Sequence, residues 1–127
     1  MSDKIDSYRD LRVYENSISA AMEIFNISKN FPREEQYSLV DQVRRSSRSV
    51  SANLAEAWRK RRYKKAFLAK LNDCESEAAE TRVWLEFANR CGFIDREKLL
   101  ELDDNYEHIL RQISRMIKDN QKWVLEN

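Results

Sequence analysis

The chain has 127 residues, one Gly, one Pro, 35% charged and 42% hydrophobic residues, and a formal net charge of +1. Average usage of roughly 7% Gly and 5% Pro would supply about nine and six. The shortage removes the turn residues that hairpins and barrels need, which excludes an all-β or doubly wound fold, and the length fits one domain over 1–127.

Four helices are predicted, near 8–30, 33–59, 63–91 and 95–120. The first opens on Ser7-Tyr8-Arg9-Asp10, a capping-box pattern, and carries Leu11, Tyr14, Ile18, Ala21, Phe25 and Ser28 at 3-4 spacing. Pro32 followed by Arg33-Glu34-Glu35 has the composition of a helix start. The second helix bears a seam of Val40, Val43, Ser47, Val50, Leu54 and Ala57. Its next member would be Arg61, so a tight break is predicted at Arg59–Tyr63, without Gly or Pro to mark it. A new seam follows, through Phe67, Leu71, Cys74, Ala78, Thr81, Leu85 and Ala88. Gly92 reads as the residue after a helix end, Phe93-Ile94 as its apolar contact and Asp95 as the next N-cap. The last helix carries Leu99, Leu102, Tyr106, Ile109, Ile113 and Met116, widened by Leu110 and Ile117.

Helices of about 20–28 residues are about 30–42 Å long. Short connections between them make neighbours antiparallel, so the expected architecture is all-α, an up-down-up-down four-helix bundle. The second helix carries Ser46, Ser47, Ser49, Ser51, Ala52, Ala55 and Ala57, and the third Ala66, Ala69, Ser76, Ala78 and Ala79. Small side chains allow close approach, which makes these two the tight pair. The polar ends, 1–6 and 120–127, are expected to fray.

No run of 18 apolar residues exists to span a membrane, and Met1-Ser2-Asp3-Lys4-Ile5-Asp6 lacks the character of a signal peptide. Cys74 and Cys91, 17 positions apart on one predicted helix, point about 100° apart around it. They read as reduced core residues of a cytoplasmic protein. His108 is the sole histidine, too few for a di-iron or zinc site, and its neighbour one turn back, Asp104, suggests a surface hydrogen bond. The acids Asp73, Glu75, Glu77, Glu80 and Glu86 read as a solvated or interface-lining face. With one Gly no phosphate-cradling loop can form. The expectation is therefore no catalytic residue, no metal and no cofactor, and no enzyme.

Charge is the unusual feature. Arg59-Lys60-Arg61-Arg62-Tyr63-Lys64-Lys65 follows Arg44, Arg45 and Arg48. Across 44–65, nine basic residues face one acid, Glu56, a net +8 that leaves −7 on the remainder. Such a cluster suits nucleic-acid backbone, with Tyr63 as a stacking surface. It also suits a merely solvated loop, or an acidic surface on another subunit. Trp58, Trp84 and Trp123 lie off the best seams, as do Val83 and Phe87. Trp58, Val83, Trp84 and Phe87 are the candidate subunit contacts; a widened core is the alternative.

The stretch Gln42-Val43-Arg44-Arg45-Ser46-Ser47-Arg48-Ser49-Val50-Ser51-Ala52-Asn53-Leu54-Ala55-Glu56-Ala57 resembles the signature of a bacterial four-helix-bundle family. That family is encoded by intervening sequences in 23S ribosomal RNA genes and includes the accessory protein of diversity-generating retroelements. Phe31-Pro32 with its acids, Phe67-Leu68 and Ala88-x-x-Cys91-Gly92-Phe93-Ile94 are similar too, and the resemblance spans about 8–118. It implies a bundle that assembles as a ring of five. Through the retroelement member it also implies association with RNA or DNA and with a protein partner. The family's usual Gly after the Asn-x-Ala-Glu element is replaced here by Ala57, followed by Trp58.

Overall fold

The computed structural model describes residues 4–125. Four α-helices, α1 (Arg12–Ser28), α2 (Leu39–Arg59), α3 (Lys64–Arg90) and α4 (Arg96–Lys118), are joined by short connections. Contacts run from α1 to α2, α2 to α3 and α3 to α4, and close between α1 and α4, with α2–α3 the most extensive pairing. This is the expected four-helix bundle. Its core is built from Ile24, Val43, Val50, Leu54, Phe67, Leu71, Leu85, Leu102, Tyr106, Ile109 and Ile113, each at most 1% exposed.

The seams predicted for α2 and α3 are buried throughout, and that of α4 from Leu102 onward, with Leu99 half-buried. The register of α1 differs by one residue. Val13, Ser17, Ala20, Ile24 and Ser28 face the core, while Tyr14, Ile18, Ala21 and Phe25 flank it. The cause is a polar contact across a close approach: Ser17 and Ser51 share a hydrogen bond of 2.8 Å between their hydroxyls. The small Ser17 and Ala20 bring α1 onto α2, and the bulkier side chains cover the margins. A second such bond, 2.8 Å from Thr81 to Ser46, joins α3 to α2 in the interior.

Two predicted helix starts shift. Ser7 and Asp10 do form a capping box, but around a 3-10 turn, Tyr8–Asp10, after which Leu11 is extended and α1 begins. After Pro32 comes another 3-10 turn, Arg33–Glu35, and α2 begins only at Leu39. There the Glu35 carboxylate accepts from the Ser38 hydroxyl and the Leu39 N–H, placing an anion at the positive end of α2. The break before α3 falls at 60–63, as predicted. Gly92 ends α3 with φ +81. The Phe93 N–H bonds Ala88 O at 2.8 Å and the Gly92 N–H bonds Asn89 O at 2.9 Å, a Schellman-type closure. Asp95 then caps α4 by accepting from the Lys98 N–H.

The ends are better anchored than their polarity suggests. Met1–Asp3 and Glu126–Asn127, part of the tails expected to fray, lie outside the described residues. Asn120–Lys122 form a 3-10 turn, Trp123 lies 6.1 Å from Trp58 between ring centroids, and the Leu125 N–H bonds Arg61 O at 2.8 Å. Of the two thiols, Cys74 is buried but Cys91 is exposed at the end of α3, because the helix closes one residue before it.

Two measurements check this packing. A Cβ at position 92 would meet nothing within 4 Å, so Gly92→Ala isolates the backbone cost of a left-handed residue. It should lower stability by about 1 kcal/mol in urea titration. Burial pushes the Cys74 thiol up to about 12. Ellman titration at pH 8 should therefore count one thiol in the native protein and two in denaturant. The raised value contributes stability that is complete below the unfolded thiol's ordinary range and is lost as pH climbs from about 9 toward 12.

Candidate nucleic-acid interface

The α2–α3 corner is built without Gly or Pro. Lys60, which ends α2, turns its N–H to Ala57 O and Glu56 O, and the Tyr63 N–H bonds Lys60 O. Arg61 completes the stop. Its Nε donates to Trp58 O at 2.9 Å, and its guanidinium carbon lies 3.5 Å from the Trp58 ring centroid. An arginine at a helix C-terminus both satisfies an orphan carbonyl and opposes the dipole. Burial alone lowers the Arg61 pKa, with no acid to offset it. Tyr63 is extended and is 69% exposed.

The structure divides the nine sequence-predicted cations. Arg44 is half-buried against α1: it sits 4.7 Å over the Phe25 ring, and its Nε donates to Ser28 Oγ at 2.9 Å. Arg45 pairs with Glu77 at 3.2 Å and with Glu80, tying α2 to α3. Arg48 remains exposed. Eleven residues before Arg59, it lies on nearly the same side of α2, about 16 Å away along the axis. Arg59, Lys60, Arg62, Lys64 and Lys65 are exposed, and Arg61 is half-buried.

Some cations elsewhere are matched. Lys70 bonds Glu56 at 3.0 Å, Arg82 bonds Asp103 and Glu107 at 2.8 Å, and Lys98 bonds Glu23 at 3.1 Å. Among the described residues, no ion pair reaches any of the six cations between Arg59 and Lys65. The predicted acidic face of α3 is largely neutralised within the chain, Glu77 and Glu80 by Arg45, Asp73 by Lys70 and Glu86 by Arg90.

Beside the corner lies a cleft of about 360 Å³, lined by Trp58, Arg59, Arg61, Arg62, Tyr63 and Leu125. Leu125 was not among the expected contributors. The signal that could have found it is the apolar Trp123-Val124-Leu125 in an otherwise polar end.

The four candidate subunit contacts also separate. Trp58 is 8% exposed and packs into the chain's own core, with Arg61 over its ring and Trp123 beside it. Trp84 is half-buried with its Nε1 donating to Glu80 at 2.9 Å, while Val83 and Phe87 are 49% and 52% exposed. Val83 borders a groove of about 570 Å³ between α3 and α4, with Leu99, Leu100 and a rim of Arg82, Glu86, Arg90, Arg96 and Asp103.

His108 is exposed and makes no hydrogen bond with Asp104, contrary to expectation. Among the described residues, no three of His, Cys, Asp and Glu group to hold a metal ion, and no helix is long and apolar enough to cross a membrane.

Comparison with known proteins bears on this arrangement. Among curated proteins none matches the chain. A crystal structure of a protein of unknown function from the S23 ribosomal protein family of Bacteroides thetaiotaomicron is similar. It superimposes with a TM-score of 0.75 at 31% identity, covering 84% of this chain and 95% of that one. The sequence profile of the 23S rRNA-intervening sequence proteins matches residues 9–115, from the capping turn to the last turn of α4. A bundle with this core, this Arg-Ser-rich α2 and this Gly92 closure belongs to the 23S rRNA-intervening sequence protein family.

Proposed function

We propose that this chain is a non-enzymatic, self-assembling bundle that binds the backbone of RNA or DNA through its α2–α3 corner. The observation that carries the reading is the run of six cations, Arg59, Lys60, Arg61, Arg62, Lys64 and Lys65, none of which is ion-paired with an acid among the described residues. Closely spaced cations repel one another, and a polyanion relieves that repulsion while releasing its condensed counterions. Arg48, on the same side of α2, extends the surface. Contacts of this kind read phosphate, so sequence selectivity is low.

Self-assembly rests on the α3–α4 groove. Val83 and Leu100, each about half exposed, line it beside a charged rim, and Phe87, 52% exposed and against Trp84, follows one turn along α3, the composition of a protein contact. Five copies is the number that the sequence resemblance implies. A ring would bring several corners together and multiply their field. The two unbridged thiols fit a reducing, cytoplasmic setting. A second reading, a protein-docking scaffold without nucleic acid, draws support from the same groove.

Binding to structured RNA and duplex DNA across a salt series tests the first reading. With six phosphates neutralised, affinity should fall roughly a thousandfold between 50 and 200 mM salt. The combined reversal Arg59→Glu, Lys60→Glu and Arg62→Glu should abolish it. Absence of binding at 50 mM salt, or binding that survives the reversal, refutes the reading. A cytosolic partner retained after nuclease treatment then favours the scaffold. For assembly, light scattering should give five chains of 15.2 kDa, about 76 kDa. Phe87→Glu should shift the mass toward 15.2 kDa without loss of helicity; a wild-type mass already at one chain overturns it.

A further inference from the structure

We infer that the cleft at the α2–α3 corner takes one unpaired nucleotide, so the surface prefers single-stranded to double-stranded nucleic acid. This rests on the nucleic-acid reading above and adds the form of the ligand.

Three features of the corner carry the inference. Arg61 is a cation already fixed in place. Its guanidinium carbon lies over the Trp58 ring, its Nε is committed to Trp58 O, and burial disfavours its charge with no carboxylate among the described residues in compensation. Its terminal nitrogens have no partner among the described residues. An oriented, partly desolvated guanidinium without a counter-ion suits a phosphate, which accepts its hydrogen bonds and supplies the missing charge. Arg59 and Arg62 line the same cleft, so the phosphate would meet two further cations.

Tyr63 lines that cleft too. It is 69% exposed, and its ring stacks on no other aromatic ring of the described chain. A bare aromatic face beside three arginines is the arrangement that holds a base next to its phosphate. Its position is set by the backbone, because Tyr63 is the extended residue from which α3 starts.

The volume, about 360 Å³, lies at the small end of the roughly 300–1,000 Å³ range of ligand clefts. It suits one nucleotide rather than a duplex. A duplex keeps its base faces inside its own stack and offers the corner phosphate alone. A single strand offers both groups at once, and Leu125 of the C-terminal strap forms an apolar wall beside them.

Fluorescence anisotropy with three labelled probes, at 50 mM salt, tests this: a twelve-nucleotide oligouridylate, an oligothymidylate of equal length and a twelve-base-pair RNA duplex. At least one single strand should bind more tightly than the duplex, and comparing the two tells RNA from DNA as the preferred strand. Tyr63→Ala should weaken the better single strand roughly tenfold and change duplex affinity less than twofold. Tyr63→Phe should restore the loss. Tyr63 makes no packing contact that holds the core, and helicity by circular dichroism confirms that each variant is folded. If Tyr63→Ala leaves all affinities unchanged while the triple charge reversal abolishes them, the nucleotide cleft is wrong and the electrostatic surface stands. If no probe binds the wild type, both readings fall.

Discussion

The close approach of α2 to its two neighbours is the constraint from which the rest of the molecule follows. Where most bundles interleave large aliphatic side chains, α2 presents Ser46, Ser47, Ser51 and Ala57, all buried. Hydroxyls in such an interior must find partners or cost stability. They do so across the helix boundaries, Ser46 with Thr81 and Ser51 with Ser17. These bonds favour one rotation of each helix, since turning α1 by one residue would break the Ser17–Ser51 bond and leave Ser17 only its bond to Tyr14 O. The register of α1 is therefore set by a polar pair rather than by its largest hydrophobes. The same rotation carries Phe25 to the margin, where it collects Arg44 and Lys29 over its ring.

That pairing also explains why the charge is divided as it is. Holding α2 against α3 places Arg45 beside Glu77 and Glu80, and Lys70 beside Glu56. Ion pairs of this half-exposed kind contribute little stability singly, but they neutralise the middle of the helix pair. Beyond Arg59 the chain turns from α2 into α3, and among the described residues no acid pairs with the cations there. Six cations without an acid partner among the described residues therefore follow one another at one end of the bundle, and the net +1 of the whole chain does not describe that end.

Much of this was legible in the sequence. The seams of α2, α3 and α4 follow from helical periodicity, and Gly92 and Asp95 are punctuation whose geometry is local. The break at Arg59–Tyr63 was inferable from the impossibility of continuing the α2 seam through Arg61, and Arg61 does sit at that seam, half-buried over the Trp58 ring and without an acid partner among the described residues. Other features depend on contacts that periodicity does not encode. The α1 register needed the Ser17–Ser51 bond, formed across 34 residues. The removal of Arg44 and Arg45 from the basic surface needed their partners on other helices. The burial of Trp58 needed a tail 65 residues further on. A basic stretch reads as uniform in one dimension, and folding sorts it into cations with partners and cations without.

The cluster of Arg61, Trp58 and Trp123 has an optical consequence. The chain's three indoles are confined to two places, a pair with centroids 6.1 Å apart at the α2–α3 corner and a single one, Trp84, beside Glu80 at the α3 surface. The native emission spectrum thus samples those two faces of the molecule and no other. With Trp84 replaced by Phe, the remaining fluorescence would come from the corner alone, and the protein would carry its own label where its charge is concentrated.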